Sequence, residues 1–174
     1  MKRINNPLLG QPDYQCFGCS PQNEFGLHME FYEDGDEVVS QWTPRPEFQG
    51  WRDTLHGGIQ ATLIDEISSW VVFTKFLTSG VTTNIEVRYH KPVRTTDSHI
   101  TLRAKALEQR RNLVRIGVEL FNSAGDRCTE ATCTYFLFPK EKAARDLDFC
   151  AKSATSPSAE ASSEHAPTCP CGKL

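Results

Sequence analysis

Residues 58–78 read GIQATLIDEISSWVVFTKFLT, and this stretch decides the fold. Ile59, Leu63, Ile67, Trp70, Phe73 and Leu77 recur every three or four residues, the period of one α-helical face. Ala61, Ile64, Val71 and Val72 add apolar character on the other sides. A helix that is apolar nearly all round belongs inside a structure, so the spacing predicts a long buried helix over 58–78.

On both sides of this stretch the period changes to two. Upstream, Leu27, Met29 and Phe31 alternate with polar neighbours, Glu33-Asp34-Gly35-Asp36 makes a turn, and Glu37 to Trp42 returns, which is a hairpin signal. Downstream, Val81, Thr83, Ile85, Val87 and Tyr89 alternate strictly with Thr82, Asn84, Glu86, Arg88 and His90. The same alternation runs through Ile100–Ala106, Val114–Leu120 and 131–138, so each of these strands buries one face. The links 108–112 and 122–126 are short and favour antiparallel neighbours. About five strands and one helix make an α+β fold, an antiparallel sheet wrapped around the helix.

The chain has 174 residues, enough for one domain and its core. The folded unit is expected within 1–139, with 140–174 as a tail. From Ala151 onward 13 of 24 residues are Ala, Ser or Pro, a composition that buries too little to offset the entropy of ordering. A net charge of −3 leaves no electrostatic footprint for nucleic acid or an anionic membrane, so neither is expected as a partner. No stretch approaches the ~20 apolar residues of a membrane-spanning helix. Lys2 and Arg3 lead into Asn5, Asn6 and Pro7 rather than an apolar export signal, so a cytoplasmic protein with reduced thiols is expected. Cys16 and Cys19, with Cys169 and Cys171, would make four thiolates, the number of a structural zinc site. Neither pair is a strong signal alone and they lie 150 residues apart, so no metal and no cofactor are expected.

The chemistry concentrates at the start of the predicted helix. In Leu55-His56-Gly57-Gly58, two glycines let a ligand approach the backbone and expose unpaired amides at the positive end of the helix dipole, suited to a developing oxyanion. Two turns on, Asp65 and Glu66 interrupt the apolar run, and a buried carboxylate needs a reason. The same residues also fit a plain tight turn, with carboxylates serving a neighbouring loop. On a helical wheel Glu66 falls on the main apolar stripe, where its pKa should rise. Asp65 lies about 100° away among Ala61, Thr62 and Ser69, open to a substrate. From Arg88 to Arg115 eight basic residues face only Asp97 and Glu108, so Arg88, His90 and Lys91, with Arg94, Arg110 and Arg111, are candidates for anionic groups or else solvent-facing strand positions.

His56-Gly57-Gly58, then six residues, then Asp65-Glu66, between strands, resembles the hotdog-fold acyl-CoA thioesterases, most closely the phenylacetyl-CoA and 4-hydroxybenzoyl-CoA thioesterase type. Cys16-Phe17-Gly18-Cys19 with Asn23 and Gly26-Leu27, Phe48-Gln49-Gly50, and Tyr89-His90-Lys91-Pro92-Val93 are also similar to a branch of that group. The resemblance covers about residues 14–138. It implies hydrolysis of an acyl-CoA to free acid and coenzyme A by a homodimer or homotetramer with its active site between subunits. In that pattern the Gly57 amide holds the thioester carbonyl, with Gly58 beside it, and the Asp65 carboxylate attacks or activates water. Glu66 and His56 are the further catalytic candidates beside them, and His56 more readily orders the loop than transfers protons. Gln49, beside Gly50, stands next to the position where some members carry an Asn, and Thr82, Thr83 and Asn84 compete for a polar position on the following strand. A non-catalytic acyl-CoA-binding module on the same fold is the alternative. Trp51, Trp70, Phe73 and Phe76 fit either an acyl pocket or a core stripe.

Deleting residues 151–174 is expected to leave the melting temperature and any hydrolytic activity within error of the full chain, because the segment lacks core-forming residues. Thermal unfolding monitored beside thiol release checks this. Stoichiometric zinc lost on truncation would instead mark the four-thiolate site.

Overall fold

The computed structural model describes residues 1–11 and 13–146. Its centre is helix α1 (Gly57–Val71), in which Leu63, Ile64, Ile67, Trp70 and Val71 are fully buried. The helical path continues through a wider π-helical turn, Val72–Phe76, and stops at Leu77, whose left-handed φ of 52° breaks the ladder. The predicted 58–78 helix is therefore present, with its last turn loosened.

Seven strands form one antiparallel sheet: β1 (Lys2–Arg3), β2 (Tyr32–Asp34), β3 (Glu37–Trp42), β6 (Gly80–Tyr89), β7 (Ile100–Arg110), β8 (Leu113–Phe121) and β9 (Arg127–Leu137). Their order is β1-β2-β3-β7-β8-β9-β6. A small pair, β4 (Gln49–Trp51) and β5 (Thr54–Leu55), stands before the helix, and α2 (Lys140–Asp146) follows the last strand with Ala143 buried. The long strands curl around α1, and Ile100, Leu102, Val114, Ile116, Val118, Leu120 and Cys133 close over it as the period-two pattern requires. The rest of the tail expectation lies outside the described residues. Among the described residues no helix is long and apolar enough to cross a membrane.

Two expectations are corrected. The hairpin ladder is short, because only Tyr32–Asp34 pairs with Glu37–Val39 around the turn at Gly35. Leu27, Met29 and Phe31 are buried as their alternation requires, but their backbones bond elsewhere. Leu27 and Met29 donate to the carbonyls of Phe17 and Gly18 (2.7 and 2.9 Å), and the Ile4 amide donates to Phe31. This segment packs on the helix, stacking Phe31 on Trp70 at 4.3 Å. The second correction is in β6, where the register shifts between Thr82 and Asn84. The bulge breaks strict alternation and puts Thr82 on the helix-facing side with Ile85 and Val87.

β6 is also the open edge of the sheet. Val81 is 48% and Tyr89 51% exposed, and one row of its backbone groups has no neighbouring strand among the described residues. A ten-residue edge of this kind is a template for pairing with another chain.

Leu63→Ala, at a site with no solvent exposure, is expected to cost about 2–5 kcal/mol of stability in denaturant unfolding, and the half-exposed Leu113→Ala less than about 1 kcal/mol.

Candidate active site

The start of α1 is built by His56. It caps the helix with extended backbone, and its Nδ1 accepts the Gly58 amide at 2.9 Å. In a neutral ring the proton therefore sits on Nε2. The His56 carbonyl accepts from Ile59 and Gln60 (3.0 and 3.1 Å). That leaves the Gly57 amide with no acceptor among the described residues, at a helix end whose first turn carries no acidic side chain. The unneutralised positive end suits an incoming oxygen. The Gly57 carbonyl is fixed by the Tyr89 hydroxyl, 2.8 Å away, and a Cβ on Gly57 would lie 3.4 Å from the Tyr89 ring. A cleft of about 620 Å³ opens here, lined by Gly50, Trp51, His56, Gly57, Tyr89 and Lys91 among others. Trp51 stands 84% exposed at it, whereas Trp70 belongs to the core, with Phe73 and Phe76 packed against that core.

Asp65 is half-buried on the face toward β6 and β9. Its Oδ1 accepts from the Thr82 hydroxyl at 2.7 Å, and the Tyr135 hydroxyl lies 2.6 Å from the same oxygen and 2.8 Å from the Asp65 carbonyl. Burial, then the neighbouring carboxylate, push the Tyr135 hydroxyl above its ordinary pKa, so it stays protonated and donates. Oδ2 has no partner among the described residues. Of the three polar candidates on β6, only Thr82 reaches Asp65, through this chain's own strand. Thr83 turns its hydroxyl to the Thr134 carbonyl at 2.9 Å, and Asn84 is exposed.

Glu66 projects about 100° round the helix from Asp65, on the apolar stripe, as the helical wheel predicts. The Cys16–Cys19 loop sits on it so closely that a Cβ on Gly18 would overlap its carboxylate. Trp70 Nε1 donates to Glu66 Oε1 at 3.1 Å, and Cys16 Sγ lies 3.7 and 3.5 Å from its two oxygens. Burial first, then the adjacent Cys16, raises the Glu66 pKa to about 7. Cys16 is lowered to about 5, chiefly because the Cys19 thiol hydrogen-bonds to it.

The other candidates scatter. His90 and Lys91 line the cleft, with Lys91 Nζ 2.9 Å from Asp126 and His90 Nε2 3.4 Å from Glu130. Arg88 pairs with Glu86 at 3.2 Å and lines a separate groove with Glu37, Arg103 and Arg115. Arg94 bonds Thr54, Arg110 pairs with Glu108, and Arg111 occupies the β7–β8 turn with φ of 53°. Gln49 folds back to accept the Asp53 amide at 3.3 Å. Sequence reasoning gave no part to Tyr135 and took Tyr89 only as a strand position. Their signal is a hydroxyl-bearing ring on the helix-facing side of a strand, where it must find a partner.

A thioesterase superfamily family model matches residues 53–129, which span the helix and most of the sheet. Acyl-coenzyme A thioesterase 13 of Homo sapiens and of Pongo abelii is each 35% identical over 89 residues, 51% of this chain. The chain spans 63% of the length of these relatives. A hypothetical thioesterase from Streptococcus pneumoniae, solved with coenzyme A, superposes with a TM-score of 0.60 at 26% identity, covering 64% of this chain and 87% of that one. Zebra fish thioesterase superfamily member 2 gives 0.57 at 26%, covering 63% and 81%. With a central helix wrapped by an antiparallel sheet and this match across its core, the chain has the hotdog fold and is similar to the thioesterase superfamily over residues 53–129.

Proposed function

We propose that the protein hydrolyses an acyl-CoA thioester in a site shared by two copies of the chain. The observation that carries this is the pairing of a free helix-start amide in a cleft with a carboxylate oriented by two hydroxyls. Gly57 donates to the thioester carbonyl oxygen and stabilises the charge that develops there. Asp65, through Oδ2, attacks the carbonyl carbon or takes a proton from an attacking water. By either route one water is consumed, the C–S bond breaks, and a carboxylic acid and the coenzyme A thiol leave. His56 keeps the helix start open by holding the Gly58 amide. His90 and Lys91 at the cleft suit the coenzyme's phosphates.

Gly57 and Asp65 are eight residues apart on one helix, about 12 Å of rise. One carbonyl cannot touch both, so the second group comes from another copy. The open β6 edge, which carries Thr82 and Tyr89, is the surface on which that copy docks.

Thiol release across a panel including phenylacetyl-, 4-hydroxybenzoyl- and medium-chain acyl-CoAs tests the activity. Binding of acyl-CoA without cleavage of any of them would make the protein a non-catalytic module. Asp65→Asn is expected to lower kcat by at least about 100-fold with the melting temperature preserved. Glu66→Gln should act mainly on stability. Gly57→Pro removes only the amide donor at a position where helices accept proline, and should also be inactive. Co-expressing Gly57→Pro with Asp65→Asn is then expected to restore about a quarter of wild-type turnover, since one site of each mixed dimer keeps both groups. No restoration, or full activity in a strict monomer by sedimentation, would overturn the shared site.

A further inference from the structure

Cys16, Cys19 and Glu66 meet on the flank of α1 away from Asp65, and the hydrolytic site uses none of their side chains. Cys16 Sγ lies 3.5 Å from Cys19 Sγ and 3.5 Å from Glu66 Oε2, and the donor atoms of all three residues fall within 4.8 Å of one another. A tetrahedral zinc, with sulfur at about 2.3 Å and oxygen at about 2.0 Å, holds two sulfurs about 3.8 Å apart and a sulfur and an oxygen about 3.5 Å apart. The Cys16–Cys19 and Cys16–Glu66 separations are close to those of a coordination sphere.

The surroundings agree. The group is two thiols and a carboxyl, all of them acids, and among the described residues no lysine or arginine pairs with Glu66. With its ligands ionised the cluster carries three negative charges in a largely buried place, which a divalent cation offsets. The loop is already fixed. Leu27 and Met29 hold the Phe17 and Gly18 carbonyls, and the Ser20 amide donates to the Cys16 carbonyl at 3.1 Å. The donors outside the cluster are placed as partners of metal ligands are, with Trp70 Nε1 on Glu66 and the Tyr14 hydroxyl 2.8 Å from Cys19 Sγ. Two thiolates favour a soft or borderline ion such as zinc over magnesium or calcium.

We propose that Cys16, Cys19 and Glu66 bind a zinc ion, with water at the fourth corner, which pins the N-terminal loop to the central helix. The site is structural. It holds a side of α1 about 100° round from the one that presents Asp65.

The full chain, expressed in zinc-supplemented medium, is expected to contain about one zinc per chain by elemental analysis. Chelation should lower its melting temperature, and added zinc should restore it. Cobalt substituted into the chelated protein should show a thiolate-to-metal charge-transfer band and the intense visible bands of a tetrahedral ion, both lost in Cys16→Ser and Cys19→Ser. Glu66→Gln, checked for folding by circular dichroism, should weaken zinc binding by more than the roughly 100-fold that losing a partner outside the coordination sphere costs. Full chain carrying both Cys169→Ser and Cys171→Ser should keep its zinc. A wild-type chain that neither contains zinc nor shifts its melting temperature with it overturns the proposal. So does loss of zinc in the Cys169/Cys171 variant, or unchanged zinc affinity in folded Glu66→Gln.

Discussion

Burying α1 between the sheet and the N-terminal segment takes Asp65 and Glu66 out of bulk water together, and a carboxylate so placed is costly unless something polar meets it. Because adjacent helical residues point about 100° apart, one set of partners cannot serve both. The fold answers with two. Strands β6 and β9 bring Thr82 and Tyr135 to Asp65, while the Cys16–Cys19 loop and Trp70 close over Glu66. Helix, sheet and N-terminal segment are thereby locked to one another by polar contacts, and the apolar core alone would not fix their rotation about the helix axis.

The two environments differ in kind. Asp65 meets neutral hydroxyls that donate to it and leaves one oxygen without a partner among the described residues. Glu66 is buried against thiols, and burial first, then the adjacent Cys16, raises its pKa. The contrast in hydrogen-bond partners is what supports proposing Asp65, rather than Glu66, for the chemistry.

Much of the fold could be read from local pattern. The three- and four-residue spacing in 58–78 marked the helix, and alternation marked β7, β8 and β9, because both report which side of a single element is buried. Glu66 on the apolar stripe and Asp65 off it followed from the same period. What local pattern missed depends on partners distant in sequence. Cys16 meets Glu66 across 50 residues, a contact that no local spacing reports. Tyr135 meets Asp65 across 70. The bulge beside Thr83 has no residue signal such as glycine or proline, yet it selects Thr82 over Thr83 and Asn84. Leu27, Met29 and Phe31 showed their buried side correctly and their hydrogen-bond partners not at all, since alternation carries no information about who pairs with whom.

β6 joins the two halves of the site. Thr82 near its start orients Asp65, and Tyr89 at its end fixes the carbonyl of Gly57. The same strand has one neighbour, β9, and a free edge. Edge strands fray more readily than paired ones, and any displacement of β6 would move the Asp65 hydroxyl donor and the helix-start tyrosine together. Pairing a second copy along that edge would therefore do two things at once. It would supply the group that 12 Å of helix keeps out of reach within one chain. It would also stiffen the strand that positions both groups, so assembly and preorganisation of the site become the same physical event.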